Sequence, residues 1–161
     1  MNIHITQVCV GFDHAGEDLS HAIIEHVNVK GYSVSCPQQK KKFHGASIPY
    51  PSVVPWVVGT VLSQNTWGLL VCGSGIGMSI AANRYIGIRA ALCRNESDAM
   101  LARQHNNANV LVLGGRTGTL EEALLCLWKF LTTPFSQGRH EERVCMLDRM
   151  PGGGIAYGLS A

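Results

Sequence analysis

The segment VCGSGIGMSIAAN, residues 71–83, places a cysteine directly before a glycine-rich loop. Gly73, Gly75 and Gly77 alternate with Ser74 and Ile76, and such loops turn backbone N–H groups outward where a helix begins. The pattern predicts a site for a phosphate, or for an oxyanion that forms during a reaction. A tight turn that uses glycine only for packing is the alternative, but three glycines in five residues exceed what one turn needs.

The thiol beside this loop is the second chemical feature. A helix N-terminus favours the thiolate form of a nearby cysteine, and a thiolate acts as a nucleophile or as a base. For Cys72, position alone leaves an inert buried thiol as an open alternative. Cys9 and Cys93 lie in apolar runs and are predicted core residues, and Cys126 and Cys145 are predicted to pack within helices.

Two polar segments in the second half of the chain could also bind a ligand. His105 and Asn106 lie in QHNNANV, where the amide could orient a hydroxylated ligand; a capping or surface role is the alternative. Arg139 and Arg143 lie four residues apart on a predicted helix, so their guanidinium groups share one face. The pair fits a phosphate, whereas Glu142 or a carboxylate of a symmetric partner is the alternative.

The elements that position these residues follow from hydrophobic periodicity. Short apolar runs alternate with helical segments, which predicts βαβ units and a five-stranded parallel sheet covered on both faces, a three-layer α/β/α sandwich. The predicted strands are 6–12, 32–36, 67–72, 88–93 and 110–113. The predicted helices are 18–29, 53–62 with Ser52 as its cap, 76–83, 97–105, 119–131 and 140–150.

Several of the polar residues follow predicted strands directly. Asp13 and His14 follow the first strand, Cys72 ends the third, and Arg116 follows the fifth. Ligands of parallel sheets bind beyond the carboxyl ends of the strands. We therefore expect these side chains to face one crevice.

Composition limits the remaining possibilities. The chain has 161 residues, 46% of them hydrophobic and 15% charged, which is typical of a globular protein. We expect one domain over residues 1–150 and a flexible glycine-rich tail at 151–161. A net charge of +2 argues against nucleic acid as the main partner. No apolar run reaches the roughly 18 residues of a membrane helix. The start lacks signal-peptide features and six cysteines occur singly, so we expect a cytoplasmic protein.

Two nucleotide-binding patterns match poorly. The dinucleotide fingerprint GxGxxG fails at Met78, although Glu96 stands about 20 residues further on, where a ribose-binding acid would be expected. A phosphate-binding P-loop needs GK[ST], which does not occur here. The run Lys40–Lys42 is interpreted as a solvated surface stretch.

Five stretches together resemble the ribose-5-phosphate isomerase type B family, which also contains allose-6-phosphate and galactose-6-phosphate isomerases. They are GFDHAG, LLVCGSGIGMSIAAN, GIRAALC, RQHNNANVLVLGGR and FSQGRHEERV, and they cover nearly the whole chain in the family's order. The resemblance implies a Rossmann-like fold and catalysis without a metal or organic cofactor. It also implies homodimers, or dimers of dimers, whose active sites draw residues from both subunits.

The resemblance also implies roles for individual residues. Cys72 would move a proton between C1 and C2 of the sugar phosphate, Ser74 would shuttle a hydroxyl proton, and His105 would open the furanose ring. The loop that would hold the cis-enediolate comprises Gly73, Ser74, Gly75, Ile76 and Gly77. Asp13 would be both a catalytic residue and a substrate contact. The other substrate contacts would be His14 and Asn106, with Arg116, Arg139 and Arg143 on the phosphate.

Two departures from the family pattern stand out. Relatives without the cysteine use a glutamate at the position of Met78, which leaves Cys72 as the candidate base in this loop. The usual Asp-Tyr-Pro signature is altered, because Pro49 precedes Tyr50 here, and this leaves the substrate contact of Tyr50 open.

The resemblance predicts an isomerase that interconverts ribose 5-phosphate and ribulose 5-phosphate through a cis-enediolate, in the non-oxidative pentose phosphate pathway. A six-carbon substrate such as allose 6-phosphate or galactose 6-phosphate is the first alternative. A non-catalytic sugar-phosphate sensor is the second. A sensor would need neither Cys72 nor Asp13.

Overall fold

Strands and helices alternate along a computed structural model, which describes residues 6–37 and 47–150. The strands are β1 (Gln7–Phe12), β2 (Ser33–Ser35), β3 (Trp67–Cys72), β4 (Ala90–Leu92) and β5 (Val110–Gly114). The helices are α1 (Glu17–Val29), α2 (Val54–Gln64), α3 (Ile76–Ala82), α4 (Glu96–Asn106), α5 (Leu120–Thr132) and α6 (Arg139–Arg149). The lysine run at 40–42 and the tail at 151–161 lie outside the described residues.

The five strands form one parallel sheet in the order β2-β1-β3-β5-β4. β3 lies at its centre, where Leu69 pairs with Val10 of β1 and with Leu111 of β5. Its sequence WGLLVC lacks the polar alternation of a half-exposed strand because helices cover both of its faces. The predicted parallel sheet is confirmed.

Helices cover the two faces of the sheet in separate layers. On one face α1, α4 and α5 bury an apolar cluster that includes Ile23, Leu127 and Phe130. On the other face α2 and α3 bury a second cluster that includes Val57 and Met78. α6 lies outside this arrangement and packs against α4. The three-layer α/β/α prediction is therefore confirmed.

Three local predictions were wrong. Ser52 does not cap α2; it belongs to a short 3₁₀ helix, Tyr50–Ser52, and its hydroxyl donates to the carbonyl oxygen of Pro49 at 2.8 Å. Cys145 is exposed instead of packed, because α6 buries only His140 and Val144. The fourth strand is limited to Ala90–Leu92, since only these residues continue the ladder with β5.

Candidate active site

The carboxyl ends of β1, β3 and β5 open into one cavity of 410 Å³, here called the carboxyl-edge cavity. The predicted residues from three separate strand ends therefore lie together. The segment before α2 adds a fourth wall. The cavity is lined by Asp13, His14, Ala15, Tyr50, Cys72, Gly73, Ser74, Gly77, Arg116 and Thr117.

The end of β1 supplies a buried carboxylate. Oδ1 of Asp13 accepts hydrogen bonds from the backbone N–H groups of Ala15 at 2.9 Å and Gly16 at 3.1 Å. These bonds fix the turn between β1 and α1, and Oδ2 has no partner among the described residues. A Cβ at Gly16 would lie 2.4 Å from the carbonyl oxygen of Val71, so glycine is required for α1 to start this close to β3. His14 stands beside the carboxylate and is exposed.

The three glycines after β3 serve different purposes. Gly75 has φ +76°, and a Cβ there would lie 2.4 Å from Leu92, so this position requires glycine for the turn itself. A Cβ at Gly77 would lie 2.6 Å from the ring of Tyr50, which shows that Tyr50 packs directly on the loop. A Cβ at Gly73 would have its nearest neighbour at 3.6 Å, so this glycine faces the open cavity.

The glycine loop presents unpaired hydrogen-bond donors. The backbone N–H groups of Gly73, Ser74, Gly75 and Gly77 have no partner among residues 6–37 and 47–150. The carbonyl oxygen of Gly73 accepts from the N–H of Arg116 at 3.0 Å, which anchors the loop to the end of β5. Free N–H groups beside a cation form an environment that binds an anion or stabilises a developing oxyanion.

Ile76 and Ser74 begin α3 in different environments. The Ile76 side chain is exposed and does not line the cavity; its N–H donates weakly to Oγ of Ser74 at 3.4 Å. Ser74 itself lines the cavity. Any contribution of Ile76 to this site is thus limited to its backbone.

The cysteines fall into distinct environments. Burial raises the pKa of Cys9 to about 11, that of Cys93 to about 12 and that of Cys126 to about 11, so these thiols stay protonated near neutral pH. Cys72 is only 4% exposed, yet it lines the cavity beside the free N–H groups. The prediction of an apolar environment for Cys9 and Cys93 is confirmed.

The remaining predicted residues lie at the other end of the sheet. α4 runs back from the carboxyl edge and ends near the starts of β4 and β5. There the N–H of Asn109, just before β5, donates to the carbonyl oxygen of Arg89, just before β4, at 3.1 Å. His105 and the start of α6 therefore lie at the end of the sheet where β4 and β5 begin, away from the carboxyl-edge cavity. We call this region the histidine–arginine surface, which comprises His105, Asn106, Arg139, His140 and Arg143.

Residues of the histidine–arginine surface have few polar partners. Arg139 and Arg143 are exposed on one face of α6 and pair with no carboxylate in the described part of the chain, Glu142 included. Asn106 lines a separate cavity of 380 Å³ and not the carboxyl-edge cavity. A single chain thus does not bring His105, Asn106 and these arginines to Cys72.

Sequence reasoning missed three residues of these regions. Ala15 and Thr117 line the cavity, and each directly follows a residue that was predicted, so loop continuity was the available signal. His140 is buried between two exposed arginines, and its ring stacks on His105 with 4.3 Å between ring centroids. His140 and Val144 are the buried residues of α6, and their helical spacing of four residues was the signal for His140.

Two further searches were limited to the described residues. Across 6–37 and 47–150, no cluster of three or more His, Cys, Asp or Glu side chains is arranged to hold a metal ion. Within the same ranges, every helix is too short or too polar to cross a lipid bilayer.

The fold and the cavity define a class: α/β proteins that bind a small anionic ligand at the carboxyl edge of a parallel sheet. Comparison with known proteins narrows this class. The sequence profile of a family described as Ribose/Galactose Isomerase matches residues 8–147. The chain belongs to this family, as its sequence motifs predicted.

Named relatives are similar over most of their length. Ribose-5-phosphate isomerase B of Escherichia coli is 37% identical over 139 residues, which cover 86% of this chain and 91% of the relative. A ribose 5-phosphate isomerase structure from Thermotoga maritima is 43% identical, with a TM-score of 0.84 over 90% of this chain and 99% of the other. Ribose-5-phosphate isomerase B of Mycoplasma genitalium, solved with bound ribulose-5-phosphate, is 36% identical with a TM-score of 0.83, over 91% and 97%.

Proposed function

We propose that this protein is an aldose–ketose isomerase that interconverts D-ribose 5-phosphate and D-ribulose 5-phosphate, a step of the non-oxidative pentose phosphate pathway. The observation that carries the proposal is the position of Cys72 on a cavity that Arg116 also lines. Gly73, Ser74 and Gly77 line the same cavity, and their N–H groups have no partner among the described residues. The relatives named ribose-5-phosphate isomerase B, one of them with bound ribulose-5-phosphate, support the same substrate.

The proposed reaction is a proton transfer between neighbouring carbons. Sγ of Cys72, as the thiolate, removes the proton from C2, and the electron pair of that C–H bond forms the C1–C2 double bond while the C1 oxygen becomes negatively charged. Ser74 relays the proton from the C2 hydroxyl to the C1 oxygen. The Cys72 thiol then returns its proton to C1, which leaves a ketone at C2.

The glycine loop lowers the energy of the intermediate in this scheme. Negative charge develops on the sugar oxygens during proton removal, and the prearranged N–H groups favour that state over the neutral substrate. Asp13 and His14 contact the substrate from the end of β1, and Tyr50 closes the cavity over Gly77. We also propose that residues 1–150 act as one catalytic domain.

The histidine–arginine surface completes the site from a second subunit in this proposal. His105 opens the furanose ring, Asn106 binds sugar hydroxyls, and Arg139 and Arg143 hold the phosphate together with Arg116 of the first subunit. The separation of these groups within one chain supports a homodimer, or a dimer of dimers, with shared sites. Exposed arginines without carboxylate partners suit a phosphate that arrives with the other subunit's cavity.

Mixed dimers test this shared site. Cys72→Ala and His105→Ala chains are each expected to lose most of their activity alone, whereas a mixed dimer holds one intact site and one doubly defective site. Random reassembly of equal amounts places half of the chains in mixed dimers, so about a quarter of the wild-type activity returns. No recovered activity after verified subunit exchange would exclude a shared site.

We propose a cytoplasmic location for the enzyme. No disulfide joins the six cysteines, all of which lie in the described part of the chain, as expected for a protein kept in a reducing compartment. Fractionation of the source cells, with an antibody against this protein and a cytoplasmic marker enzyme, tests this location. Recovery in a membrane or organelle fraction would contradict it.

A substrate panel tests the activity itself. Purified protein is incubated with ribose 5-phosphate, allose 6-phosphate or galactose 6-phosphate, and formation of the ketose is followed by absorbance. The proposal predicts the highest kcat/KM with ribose 5-phosphate. A higher value with either hexose phosphate would reassign the substrate, and no turnover with all three would favour a sensor.

A further inference from the structure

The histidine–arginine surface contains a second histidine for which the proposed reaction has no role. His140 is the second residue of α6, and it is 8% exposed, whereas its neighbours Arg139 and Glu141 are exposed. Its ring lies 4.3 Å from the ring of His105, centroid to centroid, with an angle of 7° between the two planes. The two rings therefore stack face to face.

The backbone before α6 is shaped to create this contact. Gln137 and Gly138 have φ values of +57° and +59°, and a non-glycine residue in this region is uncommon and strained. The carbonyl oxygen of Gln137 accepts from the N–H of His140 at 3.2 Å. One residue earlier, the N–H of Ser136 donates to the carbonyl oxygen of Gln104, which fastens this turn to the end of α4.

The electrostatic surroundings favour the neutral form of the stacked ring. Burial lowers the pKa of His140, and the charges of His105, Arg139 and Arg143 lower it further. His105 faces His140 from α4, and Arg139 and Arg143 lie on the same helix as His140, α6. A neutral imidazole can lie against His105 without placing two like charges 4.3 Å apart.

We propose that His140 is a positioning residue for His105, whose imidazole plane it fixes by stacking so that a ring nitrogen points toward the sugar ring in the partner subunit's cavity. This inference rests on the proposed function, in which His105 opens the furanose. Because proton transfer requires the acid or base within hydrogen-bond reach, a misplacement of about 1 Å can cost a factor of about 100 in rate.

A double-mutant cycle tests the inference. His140→Ala removes the stacking ring, and His140→Phe keeps a flat ring that cannot titrate. With ribose 5-phosphate, we expect His140→Ala to lower kcat about 10- to 100-fold with little change in KM. His140→Phe should stay within about threefold of wild type. In a His105→Ala background, His140→Ala should cause no further loss.

Two kinetic outcomes would overturn the inference. An equal loss from His140→Ala with and without His105 would mean that His140 acts on the fold and not through His105. A His140→Phe variant as slow as His140→Ala would mean that stacking is not the basis. If His140→Ala does not fold, His140→Leu fills the volume without a flat ring and replaces it in the cycle.

A spectroscopic measurement separates this inference from the proposed activity. In ¹H–¹³C spectra, the Cε1 proton of His105, assigned by its absence in His105→Ala, should carry a ring-current shift that disappears in His140→Leu and persists in His140→Phe. An unchanged resonance in His140→Leu would show that the rings do not stack and would overturn the inference. Failure of the wild-type protein to convert ribose 5-phosphate would instead refute the proposed function.

Discussion

The carboxyl-edge cavity and the histidine–arginine surface are built in opposite ways. The cavity consists of strand ends and a glycine loop, and its parts are held by backbone hydrogen bonds and by close packing around Gly16, Gly75 and Gly77. The surface consists of His105 and Asn106 at the end of α4 and of polar side chains of α6, and Arg139 and Arg143 have no carboxylate partner among the described residues. The carboxyl-edge cavity is therefore defined by its backbone geometry, whereas the histidine–arginine surface is defined by its exposed polar and cationic side chains.

This difference indicates how substitutions in the two regions should act. A change in the cavity disturbs folding wherever a neighbour already touches the altered atom, and it disturbs only chemistry where the space is open. A change on the exposed surface alters ligand binding and leaves the folding stability nearly constant, because few contacts within the chain are lost. A surface variant that loses folding stability, or a variant at an open cavity position that does so, would contradict this distinction between the two regions.

The largest expected effect is that of Cys72→Ala. Removal of a general base typically costs a factor of about 10² to 10⁴, so kcat should fall by this amount while ribose 5-phosphate still binds. Kinetics and calorimetric titration of the variant measure the two quantities. Cys93→Ala is a matched control, since Cys93 is 3% exposed and Cys72 is 4% exposed. The control should keep kcat and lose about 1 kcal/mol of stability.

A different pattern would contradict the role of Cys72. If Cys72→Ala lost ligand binding but converted the bound substrate at the wild-type rate, the thiol would be a structural group. If Cys93→Ala lowered kcat as strongly as Cys72→Ala, the effect would come from the core and not from the cavity.

The next effect in size distinguishes two glycines that lie two residues apart. Gly73→Ala places a methyl group in open cavity space, with 3.6 Å to its nearest neighbour, so the thermal midpoint should hold while ligand loses room beside the N–H groups. Loss of one oxyanion donor costs a factor of about 10² to 10³ in kcat, which sets the upper bound of the effect. Kinetics and thermal unfolding of the same preparation measure both properties.

Gly75→Ala should show the reverse order of effects. Its φ of +76° imposes strain on any residue with a side chain, and an added Cβ would lie 2.4 Å from Leu92. The left-handed conformation alone costs roughly 1–2 kcal/mol for a residue with a Cβ, so the thermal midpoint should fall measurably. Equal midpoints for the two variants would show that the loop is looser than its packing indicates.

The fold was predictable because its signals are local. Alternating apolar runs and helical periods define the elements, and the continuous apolar sequence of β3 identifies a strand covered on both faces. The convergence of Asp13, Cys72 and Arg116 followed from the geometry of parallel strands. Ser52 was misjudged as a cap because Pro49 and the following turn offer its hydroxyl a competing acceptor.

Contacts between distant segments could not be predicted from the sequence. The stacking of His140 on His105 depends on two positive φ values before α6, and no residue pattern announces Gln137 in that conformation. Likewise, the exposure of Cys145 depends on which side chains of α6 are buried, and tertiary packing buries only His140 and Val144 of this helix.

A smaller effect is expected for Arg143→Ala on the histidine–arginine surface. Hydrogen bonds to charged groups contribute about 1.5–3 kcal/mol, so KM for ribose 5-phosphate should rise roughly 10- to 100-fold without a change in the thermal midpoint. Arg149→Ala, an exposed arginine at the end of the same helix, is the matched control and should leave KM unchanged. A rise in KM for both variants would indicate general electrostatic attraction instead of a phosphate contact.

The smallest expected effect is a difference in thiol alkylation rates, and it tests the cavity without turnover. Cys36→Ser and Cys145→Ser remove the two more accessible thiols, which leaves Cys72 with Cys9, Cys93 and Cys126. Burial raises the pKa of the latter three to about 11 or 12, so between pH 7 and 9 they stay protonated and react slowly with iodoacetamide. Mass spectrometry of the peptides should therefore locate the first modification at Cys72.

Ribose 5-phosphate should slow the modification of Cys72 severalfold by covering the thiol, whereas free ribose should protect less because it lacks the phosphate that the arginines bind. Modification of Cys93 ahead of Cys72, or no protection by ribose 5-phosphate, would mean that the thiol does not face the ligand. Equal protection by both sugars would mean that the phosphate contact does not contribute.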